Sequence, residues 1–213
     1  MKTIAIISQK GGAGKTTLAL HLAVAAEQTG QTVVIIDLDP QASATSWKDS
    51  RPGETPIVVS AQSARLPAVL EAAKQGGANL CIIDTAPHSE SAALVAARAA
   101  DLILIPCRPA ILDLRAISNT IDLAKIAGKP VAVVLNCVSS RGSLAKEASV
   151  AVTGYCVDVA PVQIGQRAAF IHALTIGQTA QEYEPNGKGA KEIKQLYMWT
   201  CKQVGRLTNE QET

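Results

Sequence analysis

Aromatic residues are scarce in this chain, whose 213 residues hold one Phe, two Trp and three Tyr. Because 47% of the residues are nonetheless hydrophobic, a core has to be built from Ile, Val, Leu and Ala. At this length, one domain with a sizeable core is the default. Paired cysteines are missing as well. Cys81, Cys107, Cys137, Cys156 and Cys201 form no C-x-x-C pair and have no His at metal-ligand spacing, which argues against a zinc module and predicts reduced, packed thiols. No run reaches the roughly twenty apolar residues that span a bilayer, and IAII near the N-terminus is cut short by Ser8 to Lys15. A soluble, cytoplasmic protein is expected. The formal charge of +2 offers no broad positive field, so any hold on nucleic acid has to come from a local patch. Internal repeats and linkers are absent too, since DSRPGETP (49 to 56) and EPNGKG (184 to 189) do not separate two core-sized pieces. One domain at 1–208 with a polar tail at 209–213 is expected.

Short Ile- and Val-rich runs alternate with longer Ala- and Leu-rich stretches. The runs fall at 2 to 8, 32 to 37, 56 to 60, 79 to 84, 101 to 106 and 130 to 136. They are continuously apolar, as strands covered on both faces must be. Helices are predicted at 15 to 29, 64 to 75, 89 to 99, 110 to 127 and 143 to 153, with a turn entering another helix near QASATSW. The order implies repeated βαβ units, hence an α/β fold with a mostly parallel sheet and helices on both faces. Ligands of such sheets sit at the carboxyl ends of the strands. Ser8 to Lys15, Asp37 to Gln41, Asp84 to Pro87, Pro106 to Pro109 and Asn136 all follow strand ends, so five unusual segments converge on one rim.

The first of these segments, QKGGAGKT, lacks the opening glycine of G-x-x-x-x-G-K-[ST], where Gln9 stands instead. Gly11, Gly12 and Gly14 remain, and between a strand and a helix they let the backbone turn its N–H groups onto an anion. The start of the next helix adds its positive dipole end. The loop is therefore read as a phosphate cradle, with Lys15 on the β and γ phosphates and the Thr16 hydroxyl on magnesium. A glycine-rich turn with solvated lysines is the plainer alternative. Asp84 ends a strand beside this loop, as a Walker B carboxylate does, although an Asp at a strand end is often only a helix cap. Asp37 and Asp39 lie two apart on an extended backbone and so point the same way. Asp37 suits an outer magnesium shell, and Asp39 suits positioning or deprotonating an attacking water; a capped turn is the competing reading for both.

KGGAGKTT, followed by IIDLDPQASAT and CIIDTAPH, resembles the deviant-Walker ATPases of the ParA/MinD family. ILIPCRP, VVLNCV and VQIGQRAAFIHALTIGQTAQEYEP resemble its ParA branch in order and spacing, so the likeness covers nearly the whole chain. The resemblance implies a single-domain P-loop NTPase that uses ATP and Mg2+ and dimerises around the nucleotide, with possible higher-order assembly. It makes Lys10 the signature lysine that reaches the phosphates of the other subunit, and catalysis rests on Lys10, Lys15 and Asp39. A cation supplied in trans of the arginine-finger sort is worth ~10³ to 10⁵ in rate. By the same resemblance the nucleotide is held by Lys10, Gly11, Gly12, Ala13, Gly14, Lys15, Thr16 and Thr17, with Asn136 on the adenine and 161 to 166 giving backbone contacts to the base. Magnesium falls to Thr16, Asp37 and Asp84. An Asn at that place also forms turns. Residues 106 to 115 resemble the family's switch segment, and two prolines three apart equally serve as stiffening.

The last helix decides between branches. At roughly 100° per residue, Lys188, Lys191, Lys194, Lys202 and Arg206 fall on one arc about 120° wide, opposite Ile193, Leu196, Tyr197 and Val204. This face is read as a basic surface for non-specific DNA, uninterrupted except at its edges, although many surface helices share the pattern. A MinD-like protein would need a C-terminal helix with a large apolar face for the membrane. Here the chain ends LTNEQET, so no membrane partner is expected. A metabolic ATP-dependent synthase of the same superfamily is the remaining alternative. The resemblance thus implies a bacterial, nucleoid-associated ATPase that segregates DNA and is reset by slow hydrolysis. Because the first strand opens the chain, the N-terminal DNA-binding extension of longer relatives is expected to be lacking. Centromere recognition would then lie in a small partner protein.

Overall fold

In the computed structural model, the described residues are 1–211, with side chains through Gly205. Six apolar runs form strands where the pattern places them: β1 (Lys2–Ile6), β2 (Val33–Asp37), β3 (Ile57–Ser60), β4 (Leu80–Asp84), β5 (Leu102–Cys107) and β6 (Val131–Leu135). A further strand, β7 (Asp158–Val159), is two residues long, too short to carry a pattern. All pairings are parallel, in the order β3-β2-β4-β1-β5-β6-β7. The helices are α1 (Lys15–Glu27), α2 (Ser43–Asp49), α3 (Leu66–Gln75), α4 (Glu90–Ala99), α5 (Ile111–Ala127), α6 (Leu144–Thr153), α7 (Ala168–Thr175), α8 (Ala180–Tyr183) and α9 (Lys188–Gln211). Of these, α7 and α8 were not anticipated. α9 runs past the expected boundary at 208, and residues 212 and 213 of the polar tail lie outside the described residues.

Successive strand residues feed opposite faces. Ile4, Ile6, Ile35, Ile82 and Leu104 pack toward one core that includes Leu20, Leu22, Ile193 and Leu196 from α1 and α9. Ala5, Ile7, Ile36, Ile83 and Ile105 pack toward another, which includes Leu66, Ala96, Ile117 and Ala148 from α3, α4, α5 and α6. α1 is buried on all sides from Leu18 to Ala26. Only two thiols match the expectation for the cysteines: Cys81 and Cys107 are packed, and burial pushes both up to about 12. Cys137 is half-buried, whereas Cys156 and Cys201 are exposed, the first in the turn after α6 and the second on α9 beside Tyr197.

Chain order reverses at β1, which pairs with β4 on one side and β5 on the other. The loops after β1, β4 and β5 therefore part at the carboxyl edge and leave a crevice there. One buried contact steadies α1 beneath it. His21 is fully buried, and its Nδ1 lies 2.7 Å from the Thr17 carbonyl, while its Nε2 accepts the Ala180 N–H at 3.0 Å. Nδ1 therefore carries the proton, and desolvation lowers the imidazole pKa from 6.5 to about 4. Because the folded pKa is depressed, this contribution is complete above pH 6.5 and is lost as pH falls toward 4. Urea unfolding should show the protein losing stability across that window, by up to about 3 kcal/mol from this group. In His21→Gln this part of the acid slope should vanish; an unchanged slope would remove His21 as its source.

Candidate nucleotide site

The loop between β1 and α1 carries the site. Gly14 caps α1 in a left-handed conformation at φ 92°, and Gly12 has φ 70°. A Cβ on Gly14 would lie 2.2 Å from the Asn136 Nδ2, so this position requires glycine on two counts. Gly11 differs, because a side chain there would meet nothing within 4 Å. Asn136 Nδ2 donates to the Ala13 carbonyl at 2.8 Å, and its Oδ1 accepts the Cys137 N–H at 2.9 Å. The Asn136 side chain thus braces the loop from the end of β6.

Lys15 begins α1 and is 7% exposed, with its ammonium 3.3 Å from the Lys10 carbonyl. Burial lowers its pKa, and Asp84 and Asp39 partly restore it. Asp84 sits at the same level as Ile6 on one side and Asp37 on the other. It is fully buried, and neither carboxylate oxygen meets a hydrogen-bond donor of good geometry. Burial therefore pushes its carboxyl up to about 7, against the pull of the nearby Thr16 hydroxyl and Lys15. An orphaned buried carboxylate of this kind calls for a cation or donor. Hard oxygen donors, one hydroxyl and carboxylates, fit magnesium better than a soft metal. Among the described residues no three His, Cys, Asp or Glu side chains close on a metal, so magnesium here would lean on phosphate oxygens and water as well.

Asp37 is committed to the backbone. Its Oδ1 accepts the Asp39 N–H at 3.0 Å, and its Oδ2 accepts those of Ala44 and Thr45 at 3.1 and 3.3 Å. It therefore caps the entry to α2, which is compatible with an outer-shell role through the remaining lone pairs. Asp39, beyond the strand end, is half-buried, and its Oδ1 accepts the Gln41 N–H at 2.9 Å. The far end of α2 is tied down by Arg51, which bonds both Glu182 oxygens at 2.6 and 3.0 Å and lies over the Trp47 ring. Asp39 thus hangs from an anchored segment.

A cleft of about 360 Å³ runs from Gly12, Gly14 and Thr17 to Asn136, Ile164, Gly165 and Phe170. The backbone of 161 to 166 reaches it by strand-like bonds, with Ile164 N–H on Leu135 O at 2.9 Å and Val138 N–H on Ile164 O at 3.0 Å. Two arginines that sequence reasoning missed also line the cleft. Arg167 is held by Glu192 of α9, which also accepts the Gly165 N–H at 3.1 Å. Arg108 donates to the Gly12 carbonyl. For Arg108 the only signal was its place between the end of β5 and Pro109; Arg167 carried none. The Lys10 ammonium lies 2.7 Å from Asp113 Oδ2 in the first turn of α5.

On α9, Lys188, Lys191, Lys194 and Lys202 are exposed, and Ile193, Leu196, Tyr197 and Val204 are buried, as the wheel requires. The Arg206 side chain lies outside the described residues. The basic face is interrupted, however. Met198, four residues after Lys194 and hence on the same stripe, is 51% exposed.

Comparison with known proteins bears on this geometry. The chain is 36% identical over 143 residues to the maintenance of carboxysome distribution protein A of Gloeobacter kilaueensis, a match spanning 66% of this chain and 65% of that protein. It is 25% identical over 233 residues to the chromosome-partitioning ATPase Soj of Thermus thermophilus, covering 92% and 94% of the two chains. The septum site-determining protein MinD of Pyrococcus horikoshii, solved with Mg-ADP, superposes with a TM-score of 0.76 at 22% identity, covering 97% and 98%. The fold is that of the ParA/MinD P-loop NTPases. Residues 4–177, more than half of the chain, match the model of the CobQ/CobB/MinD/ParA nucleotide binding domain, and the chain belongs to that family.

Proposed function

We propose that this protein is an ATPase that dimerises around ATP and magnesium, holds non-specific DNA, and uses slow hydrolysis to segregate DNA with a small centromere-binding partner. The observation that carries the nucleotide chemistry is Asp84, buried near Lys15 and Thr16 with neither oxygen meeting a donor of good geometry. Magnesium, when bound, neutralises charge on the phosphate oxygens. The chain's own residues do the rest. The loop N–H groups and Lys15 hold the β and γ phosphates, Thr16 and Asp84 offer oxygen ligands, and Asp37 orders the segment before α2. Asp39 Oδ2 orients the attacking water or takes its proton. Lys10 completes the site of the second subunit. The base lies in the cleft against the backbone of 161 to 166, with Asn136 at its edge. Such a protein would act in the cytoplasm on the nucleoid.

DNA enters through α9, whose exposed lysines would be doubled in a dimer. Because Glu192 and Ile193 of the same helix border the cleft, that surface sits next to the nucleotide. A second reading is supported by the identity to the carboxysome-distribution protein: the same DNA-bound cycle would position a protein compartment. Among the described residues no helix is long and apolar enough to cross a membrane.

Sedimentation with ADP, with a non-hydrolysable ATP analogue, and with DNA or liposomes added tests the reading. The analogue should produce a dimer that co-sediments with DNA in a salt-dependent way. Lys191→Glu with Lys194→Glu should weaken that association about tenfold at moderate salt while ATP binding stays intact. Equal DNA affinity at matched salt would move the DNA surface off α9, and a monomer under every condition would sink the sandwich.

A further inference from the structure

We propose that Arg108 is a nucleotide-binding residue, a further cation whose guanidinium bridges the loop carbonyl of Gly12 and the phosphate tail of a bound nucleoside triphosphate. Arg108 is the first residue after β5, followed at once by Pro109, so its backbone is fixed by a buried strand on one side and a rigid ring on the other. From there its side chain crosses to the β1–α1 loop and donates from Nη2 to the Gly12 carbonyl. The same atom lies 3.3 Å from where a Cβ on Gly12 would stand, so the head group rests directly on the loop. It also lines the cleft together with Gly12, Gly14 and Asn136.

The charge of Arg108 is the informative part. Arg51 and Arg167 are neutralised by Glu182 and Glu192. Among the described residues, no carboxylate forms an ion pair with Arg108, although it sits at the mouth of the same cleft. It is exposed and packs into no core cluster, so stability gives no account of its place. A guanidinium carries five N–H donors in a planar fork, and the bond to Gly12 uses one. The others remain for an anion landing on the N–H side of the loop. A phosphate oxygen is a stronger acceptor than a carbonyl, so an arriving triphosphate draws the fork inward without breaking its hold on the loop. Lys15 approaches from the helix side and Arg108 from the β5 side, and the two enclose the phosphate tail.

The inference rests on the loop being a nucleotide site, and the experiment separates the two. ATP and adenosine affinities are measured by equilibrium binding at several salt concentrations for the full chain and for Arg108→Ala and Arg108→Lys. Arg108→Ala should bind ATP about tenfold more weakly, with a shallower salt dependence, and adenosine as before. Arg108→Lys should recover part of the loss, because it keeps the charge and gives up the fork. The thermal midpoint without nucleotide should not change in either variant. ATP affinity and salt slope equal to those of the unmodified protein would overturn the role of Arg108 while leaving the nucleotide site standing. An equal loss for ATP and adenosine would also overturn it, because the residue would then be shaping the cleft. If the unmodified protein fails to bind ATP, the nucleotide reading falls, and this inference with it.

Discussion

Lys15→Ala is expected to weaken ATP binding at least a hundredfold while the fold stays intact. Lys15 is buried at the start of α1, its burial is offset by Asp84 and Asp39, and its ammonium leans on the Lys10 carbonyl. When the triphosphate is bound, removing this charge leaves buried phosphate oxygens and the two carboxylates facing one another without a cation. Breaking one side of a buried, charge-assisted contact costs about 3–5 kcal/mol, and each 1.4 kcal/mol is a factor of ten. Titration calorimetry gives the affinity, and thermal melting confirms that the unliganded fold survives. An affinity within threefold of the parent would mean that the glycine cradle works without its lysine, and the chemistry assigned to this loop would have to be abandoned.

Lys10→Ala carries the second large effect, and it concerns assembly. The variant should bind ATP nearly as well as the parent and stay monomeric where the parent dimerises. The structure adds a counterpart. Lys10 is held on Asp113, with side-chain exposures of 38% and 11%, so a lysine bound for another subunit has first to let go of its own α5. For a pair this exposed, the hold is worth at most about 1 kcal/mol after solvent screening. Asp113→Asn should therefore strengthen the ATP-bound dimer about two- to fivefold, as read by sedimentation across protein concentrations. An ATP dimer that forms equally well without Lys10 would mean that the residue works in cis or not at all. A weaker dimer in Asp113→Asn would show that the aspartate serves the assembled state.

The strands, the loop and the rim were legible because each is a local signal. Six continuous Ile and Val runs read as strands, and five are buried as doubly covered strands must be, whereas β3 stands at the sheet edge with Ile57 49% exposed. The Gly11 to Gly14 turn fell between one of them and a helix. The terminal helix was legible through its period, down to the buried Tyr197 and Val204. What escaped the sequence lies in pairings across the chain. Asn136 meets Ala13, Lys10 meets Asp113, and Arg108 meets Gly12, each joining residues about a hundred or more positions apart. No pattern within one window encodes them. α7 and α8 escaped the sequence because they are short and are fixed by long-range contacts to His21 of α1, whose ring meets Phe170 and whose Nε2 accepts the Ala180 N–H. Met198, which breaks the lysine arc, escaped because a period of basic residues says nothing about the residues between them.

The bond from Asn136 to the Ala13 carbonyl has a mechanical meaning. Its amide fills the space a methyl group on Gly14 would need, so the mouth of α1 and the tip of β6 cannot slide past one another. The wall at 161 to 166 is laced to β6 and to the segment just after it, through Leu135 and Val138. On the proposed reading, a shift at the phosphate loop would be passed along these contacts to the wall of the base cleft. Through Glu192, which grips both Gly165 and Arg167, the same train of contacts ends on the helix that displays the lysines.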